Sequence, residues 1–87
     1  KIEEGLMSRI DGDRKNICGE NIKRYREKKG LSLEQCCVEL EQEGLLLSAK
    51  ELEQIEQGQK IVLDQEIICF CKALSITIEQ LFEDISL

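Results

Sequence analysis

Three segments of this chain carry the same local instruction. Ser32-Leu33-Glu34-Gln35, Ser48-Ala49-Lys50-Glu51 and Thr77-Ile78-Glu79-Gln80 each set a hydroxyl three residues ahead of Glu or Gln. That spacing is a capping box, in which the hydroxyl accepts from a backbone N–H inside the helix and the Glu or Gln side chain reaches back to the cap. Each box therefore predicts a helix start. There is no proline anywhere in the sequence, and Gly30, Gly44 and Gly58 stand where the helices need to stop. No segment alternates as a strand does.

The apolar spacing fills in the helices. Cys18, Ile22 and Tyr25 form a stripe between Asn16 and Gly30. A second helix opens at Ser32, faces inward with Cys36, Cys37 and Leu40, and can run to Gly44. A third opens at Ser48, buries Leu52 and Ile55, and stops at Gly58. Asp64 can cap a fourth, with Ile67, Phe70, Cys71 and Leu74 inward. Thr77 caps the last, with Ile78, Leu81, Phe82 and Ile85 inward. Helices this short are not stable alone and must pack on one another. The expected fold is all-α, a compact five-helix bundle.

The chain of 87 residues makes one domain, which buries only about 60% of the surface exposed when unfolded. Residues 1–15 read as a partly disordered lead-in, with the turn-like Asp11-Gly12-Asp13 and with Met7 as a natural start; residues 16–87 form the domain. Hydrophobic residues are 41% and charged residues 34% of the chain, which excludes a solvated tail. No apolar run approaches the ~20 residues of a membrane span, so no membrane is expected as a partner. Lys1 to Ile10 lacks the apolar stretch of a secretory signal, and a cytoplasmic location follows as the expectation.

Five cysteines are too few for a disulfide scaffold and odd in number. Cys36 and Cys37 are adjacent, and Cys69 and Cys71 are two apart, so neither pair converges on one metal from a regular helix. They read as small core residues in a reducing compartment. No histidine is present, which removes the commonest general base and metal ligand. No nucleophile–base pair and no glycine-rich phosphate loop is visible. Neither an enzyme nor a cofactor is expected.

Charge is segregated within a net charge of −6. Between Arg14 and Lys29 seven cations face two anions; between Leu33 and Gln57 seven glutamates face Lys50 alone. The first helix is basic and the next two are acidic.

The run from Gly19 to Ser32, the segment Ser48 to Gly58 and the segment Lys72 to Phe82 together resemble the Cro/phage-repressor (XRE-type, lambda-repressor-like) helix-turn-helix family. The resemblance covers about residues 16–85. It implies that the second and third helices form a helix-turn-helix and that the third, about Ser48–Gln57, enters the DNA major groove. By the same resemblance Ala49, Lys50, Glu51 and Gln54 fall at base-reading positions. Lys50 suits guanine, Gln54 adenine, Ala49 a thymine methyl and Glu51 cytosine N4. Glu51 equally completes the capping box with Ser48. Ser48, Gln57, Gly58 and Lys60 fall where the family contacts phosphate. Arg26 and Glu56 match a buried structural salt bridge of the family, a pairing that suits the planar fork of arginine.

The chain departs from the family pattern in three places. Leu33 stands where a phosphate-contacting Gln is usual. Residues 41–47 lengthen the turn before the third helix. The acidic second and third helices repel phosphate, so non-specific affinity is expected to be weak. Two functions stay open at this point. The first is a sequence-specific regulator of transcription that binds double-stranded DNA as a homodimer, with Phe82, Ile85 and Leu87 as the place for self-association. The second is a helix-turn-helix module, antitoxin-like or regulatory, that serves a basic protein partner through Leu45-Leu46-Leu47 and binds DNA weakly or not at all.

Overall fold

A computed structural model describes residues 14–85. It contains five helices, α1 (Gly19–Lys28), α2 (Leu33–Gln42), α3 (Ala49–Glu56), α4 (Asp64–Leu74) and α5 (Ile78–Leu81), with no strand among the described residues. They pack as a small all-α bundle, α2 against α4, α1 against α3 and α2 against α3, with α5 closing over α4 and α1.

All three capping boxes form. Ser32 Oγ accepts from Gln35 N at 3.0 Å, Ser48 Oγ from Glu51 N at 3.1 Å and Thr77 Oγ1 from Gln80 N at 3.1 Å. The returning bonds to Ser32 N, Ser48 N and Thr77 N are 2.8–2.9 Å. The other ends share a second device. Leu31 N donates to Arg26 O, Leu45 N to Leu40 O, Gln59 N to Gln54 O and Ile76 N to Cys71 O. Each closes a six-residue C-terminal loop of the Schellman kind, which needs a left-handed residue beside it. Gly30, Gly44 and Gly58 provide it, whereas α4 uses Ser75 at φ 58°.

The core is one cluster. Ile22, Cys36, Leu40, Leu52, Ile55, Phe70 and Leu81 are fully buried, with Cys18, Leu74, Ala73 and Cys71 nearly so. Tyr25, Cys37, Ile67 and Phe82 are only half-buried at its edge. Ile78, expected to face inward, is 49% exposed. It opens a helix of barely one turn, and the chain reaches the core only at Leu81. The fourth helix also starts differently from expectation. Asp64 is its first residue rather than its cap; the cap position is Leu63, whose N–H donates to Glu66 Oε1 at 3.0 Å. The second helix stops at Gln42, with Gly44 (φ 93°) just beyond.

The termini of the described region are tied down by hydrogen bonds, through side chains at one end and the backbone at the other. Asn21 on α1 is buried and its Nδ2 donates to Leu81 O and Glu83 O, both at 2.8 Å. Glu83 also accepts from Arg24 Nη2 at 2.8 Å and from the Tyr25 hydroxyl. At the other end Lys15 N donates to Gly58 O at 2.7 Å, so packing begins ahead of residue 16. The rest of the lead-in, residues 1–13, and Leu87 of the self-association region lie outside the described residues. Among the described residues no buried side-chain nitrogen or oxygen lacks a hydrogen-bond partner, and no helix is long and apolar enough to cross a membrane.

Candidate nucleic-acid interface

The candidate site is α3 and its two ends. Leu52 and Ile55 sink one side of the helix into the core, and Glu56 beside them is buried as well. A buried carboxylate requires a partner with matching hydrogen bonds. Arg26 on α1 supplies it: Nε donates to Glu56 Oε2 at 2.6 Å and Nη2 to Oε1 at 3.0 Å. Nη1 donates to Leu31 O at 2.8 Å, which extends the contact to the α1–α2 turn. The rotation of α3 about its own axis is therefore set by three buried residues.

That rotation leaves Lys50 exposed and Gln54 half-buried on the other side, with Glu53 exposed, while the half-buried Ala49 lies seven residues before Glu56 and so beside the buried face. Lys50 and Gln54 are four residues apart and share a face. Among the described residues Lys50 forms no ion pair. Glu51 is engaged locally: its carboxylate accepts from Ser48 N at 2.9 Å. This backbone hydrogen bond, helped by the Ser48 hydroxyl and the charge of Lys60, holds its carboxyl below the usual carboxylate range. Ser48 Oγ also accepts from Glu51 N, so Ser48 and Glu51 are tied to each other at the start of the helix.

The C-terminal corner of α3 is built by residues far away in sequence. Asn16 Nδ2 donates to Ile55 O at 3.0 Å and Lys60 O at 2.8 Å, while its Oδ1 accepts from Cys18 N and Gly19 N at 3.1 and 2.7 Å. One amide thus caps α1 and fastens the end of α3. The helices touch so closely that a Cβ at Gly19 would lie 2.2 Å from Ile55 O. Arg14 lies over Gly58, where a Cβ would be 3.3 Å from its side chain, and pairs with Glu20 at 3.2 Å. The corner of Gln57, Gly58 and Lys60 is thereby joined by Arg14 and the exposed Lys15. Sequence reading assigned neither cation to this corner, because nothing local signals a contact across so many residues.

Between α1, the start of α2 and the end of α3 lies a cleft of about 310 Å³. Lys23 and Gln57 line it with Leu33, and Glu20, Glu53 and Glu56 oppose them. Leu33 is half-buried and rests against the core, as an apolar side chain at this position would. The site is thus electrostatically mixed, with cations at the α1 edge and corner and carboxylates along α3.

The five cysteines are free, and among the described residues no group of three Cys, Asp or Glu is placed to hold a metal ion. Burial pushes the thiols of Cys18 and Cys36 up to about 11, the opposite of what a reactive thiolate needs.

Comparisons with protein-family models, with curated proteins and with solved structures give no match. The functional reading therefore rests on the residues of this chain.

Proposed function

We propose that this chain is a sequence-specific, double-stranded DNA-binding regulator of transcription of the Cro/phage-repressor type. In this reading α2 and α3 act as the helix-turn-helix, with a lengthened turn at residues 43–48, and α3 lies in the major groove. The observation that carries it is the division of α3. Leu52, Ile55 and Glu56 lock one side to the body of the protein, and Lys50 and Gln54 are presented together on the other.

Lys50 and Gln54 read base edges, with Ala49 against a thymine methyl. Glu51 works chiefly as the cap of its helix. Ser48, Gln57, the Gly58 corner, Lys60, Lys15 and Lys23 take the backbone phosphates, which position the protein without specifying sequence. The glutamates of α2 and α3 repel the phosphates of every duplex alike, so non-specific affinity is low and the base contacts carry the preference among sequences. Two copies bind two half-sites about one helical turn apart. The protein works in the cytoplasm, binds rather than catalyses, and needs no cofactor.

Titration of a selected duplex by fluorescence anisotropy tests this. Lys50→Ala and Gln54→Ala each cost about 1–3 kcal/mol of binding and relax preference at one base position, whereas Lys15→Ala weakens all sequences alike. Equal loss on every sequence for Lys50→Ala contradicts base reading.

A further inference from the structure

Between α2 and the start of α3 the surface holds a second feature, a groove that adjoins the N-terminus of α3. The turn at residues 45–48 alternates: Leu45 and Leu47 lean on the core, and Leu46 between them is 74% exposed. Val38 on α2, 54% exposed, stands across from it. They wall a groove of about 300 Å³ whose remaining lining includes Cys37, Glu41 and Glu51. No lysine or arginine lines it, and α2 carries Glu34 and Glu39 on either side of Val38. An apolar floor ringed by acid suits one class of occupant.

We propose that this groove docks a basic amphipathic protein segment, one that inserts one or two aliphatic side chains between Leu46 and Val38 and sets lysines or arginines against Glu41 and Glu51. Charge complementarity selects this occupant. A second copy offers exposed cations on α1 but no exposed aliphatic side chain on that helix to fill the groove, and an acidic or neutral apolar segment leaves the carboxylates unmatched. The groove shares Ser48 and Glu51 with the N-terminus of α3. An occupant therefore covers the end of α3 beside Lys50, and the partner and a duplex exclude each other. The exclusion rests on the DNA reading; the docking does not.

The test uses a fluorescein-labelled amphipathic peptide of Leu and Lys, and the same peptide with Glu in place of Lys. The Lys peptide binds saturably, the Glu peptide does not, and Leu46→Asp weakens the Lys peptide about tenfold or more. Leu46 is largely in solvent, so the variant keeps its fold by circular dichroism. Amide shifts of the labelled protein move at Val38, Leu46 and Ser48 and not at Lys23. Equal binding by Leu46→Asp, or shifts spread over the whole acidic surface, overturns the groove and leaves only diffuse charge attraction. Wild-type dimers that Leu46→Asp dissociates in sedimentation also overturn it, since the occupant is then a second copy. Competition between the Lys peptide and a selected duplex is measured separately, so failure of DNA binding does not touch the docking result.

Discussion

The Arg26 guanidinium grips both oxygens of Glu56 while its third nitrogen holds Leu31 O, all within a contact that solvent barely reaches. One arginine thus connects α1, the α1–α2 turn and α3. Its removal leaves a buried carboxylate unpaired, so Arg26→Ala is expected to cost about 3–5 kcal/mol. Arg26→Lys loses the forked geometry and recovers only part. Replacing both partners with leucine or methionine is expected to be milder than either single change. Urea unfolding of the set checks this order; a double variant weaker than both singles contradicts it.

Asn16 gives a second stability prediction. Asn16→Ala removes four hydrogen bonds at the junction of α1 and α3 and is expected to cost about 2–3 kcal/mol. Asn16→Asp keeps the acceptor toward Cys18 and Gly19 but sets a carboxylate against the Ile55 and Lys60 carbonyls, so it should be no better than alanine. Gly19→Ala, with its Cβ on the Ile55 carbonyl, is expected to force the two helices apart at a cost of about 2 kcal/mol or more. Thermal melts of the three variants are the measurement.

Ser75 holds a left-handed backbone that costs an L-residue roughly 1–2 kcal/mol. Ser75→Gly is expected to raise stability by about 0.5–1 kcal/mol, since part of the relief is lost to the freer unfolded chain. A fall in melting temperature contradicts a strained C-cap at α4.

The thiols make a pH prediction whose sign is fixed by burial. Cys18 and Cys36 titrate near 11 in the folded protein against 9.0 ordinarily. The unfolded chain therefore loses these protons first. Their contribution to stability is complete below about pH 9 and declines as the pH rises through about 11. Cys36→Ala should flatten this decline relative to the parent. In native buffer a thiol reagent should modify the half-buried Cys37 and Cys69 before Cys18, Cys36 and Cys71, which react only on unfolding. Early modification of Cys36 contradicts the packing of α2.

Much of the fold was legible because its signals are local. Ser32 and Gln35, Ser48 and Glu51, and Thr77 and Gln80 meet within one turn of helix, so sequence alone located three helix starts. Where the meeting partners are distant, only Arg26 and Glu56 were paired in advance, through the family resemblance, and local signals were silent on the rest. Asn16 reaches Ile55 and Lys60, and Glu83 reaches Arg24 and Tyr25, through the tertiary fold alone. Short elements also defeated periodicity. Ile78 fits an inward stripe on paper, yet a helix of one turn has no second turn to hold that face down. Within Leu45-Leu46-Leu47 composition could not tell which leucine stays in water, because a turn has no period. In the site, the face shared by Lys50 and Gln54 followed from helical spacing, whereas the corner cations Arg14 and Lys15 did not.

The central claim is that α3 reads DNA sequence despite its acidic surroundings. Enrichment of bound sequences from a pool of random duplexes, near ~50 mM salt where phosphate contacts are strongest, tests it most directly. The account predicts a two-fold motif that Lys50→Ala and Gln54→Ala each degrade at their own base positions. A pool that stays random for the parent protein contradicts it.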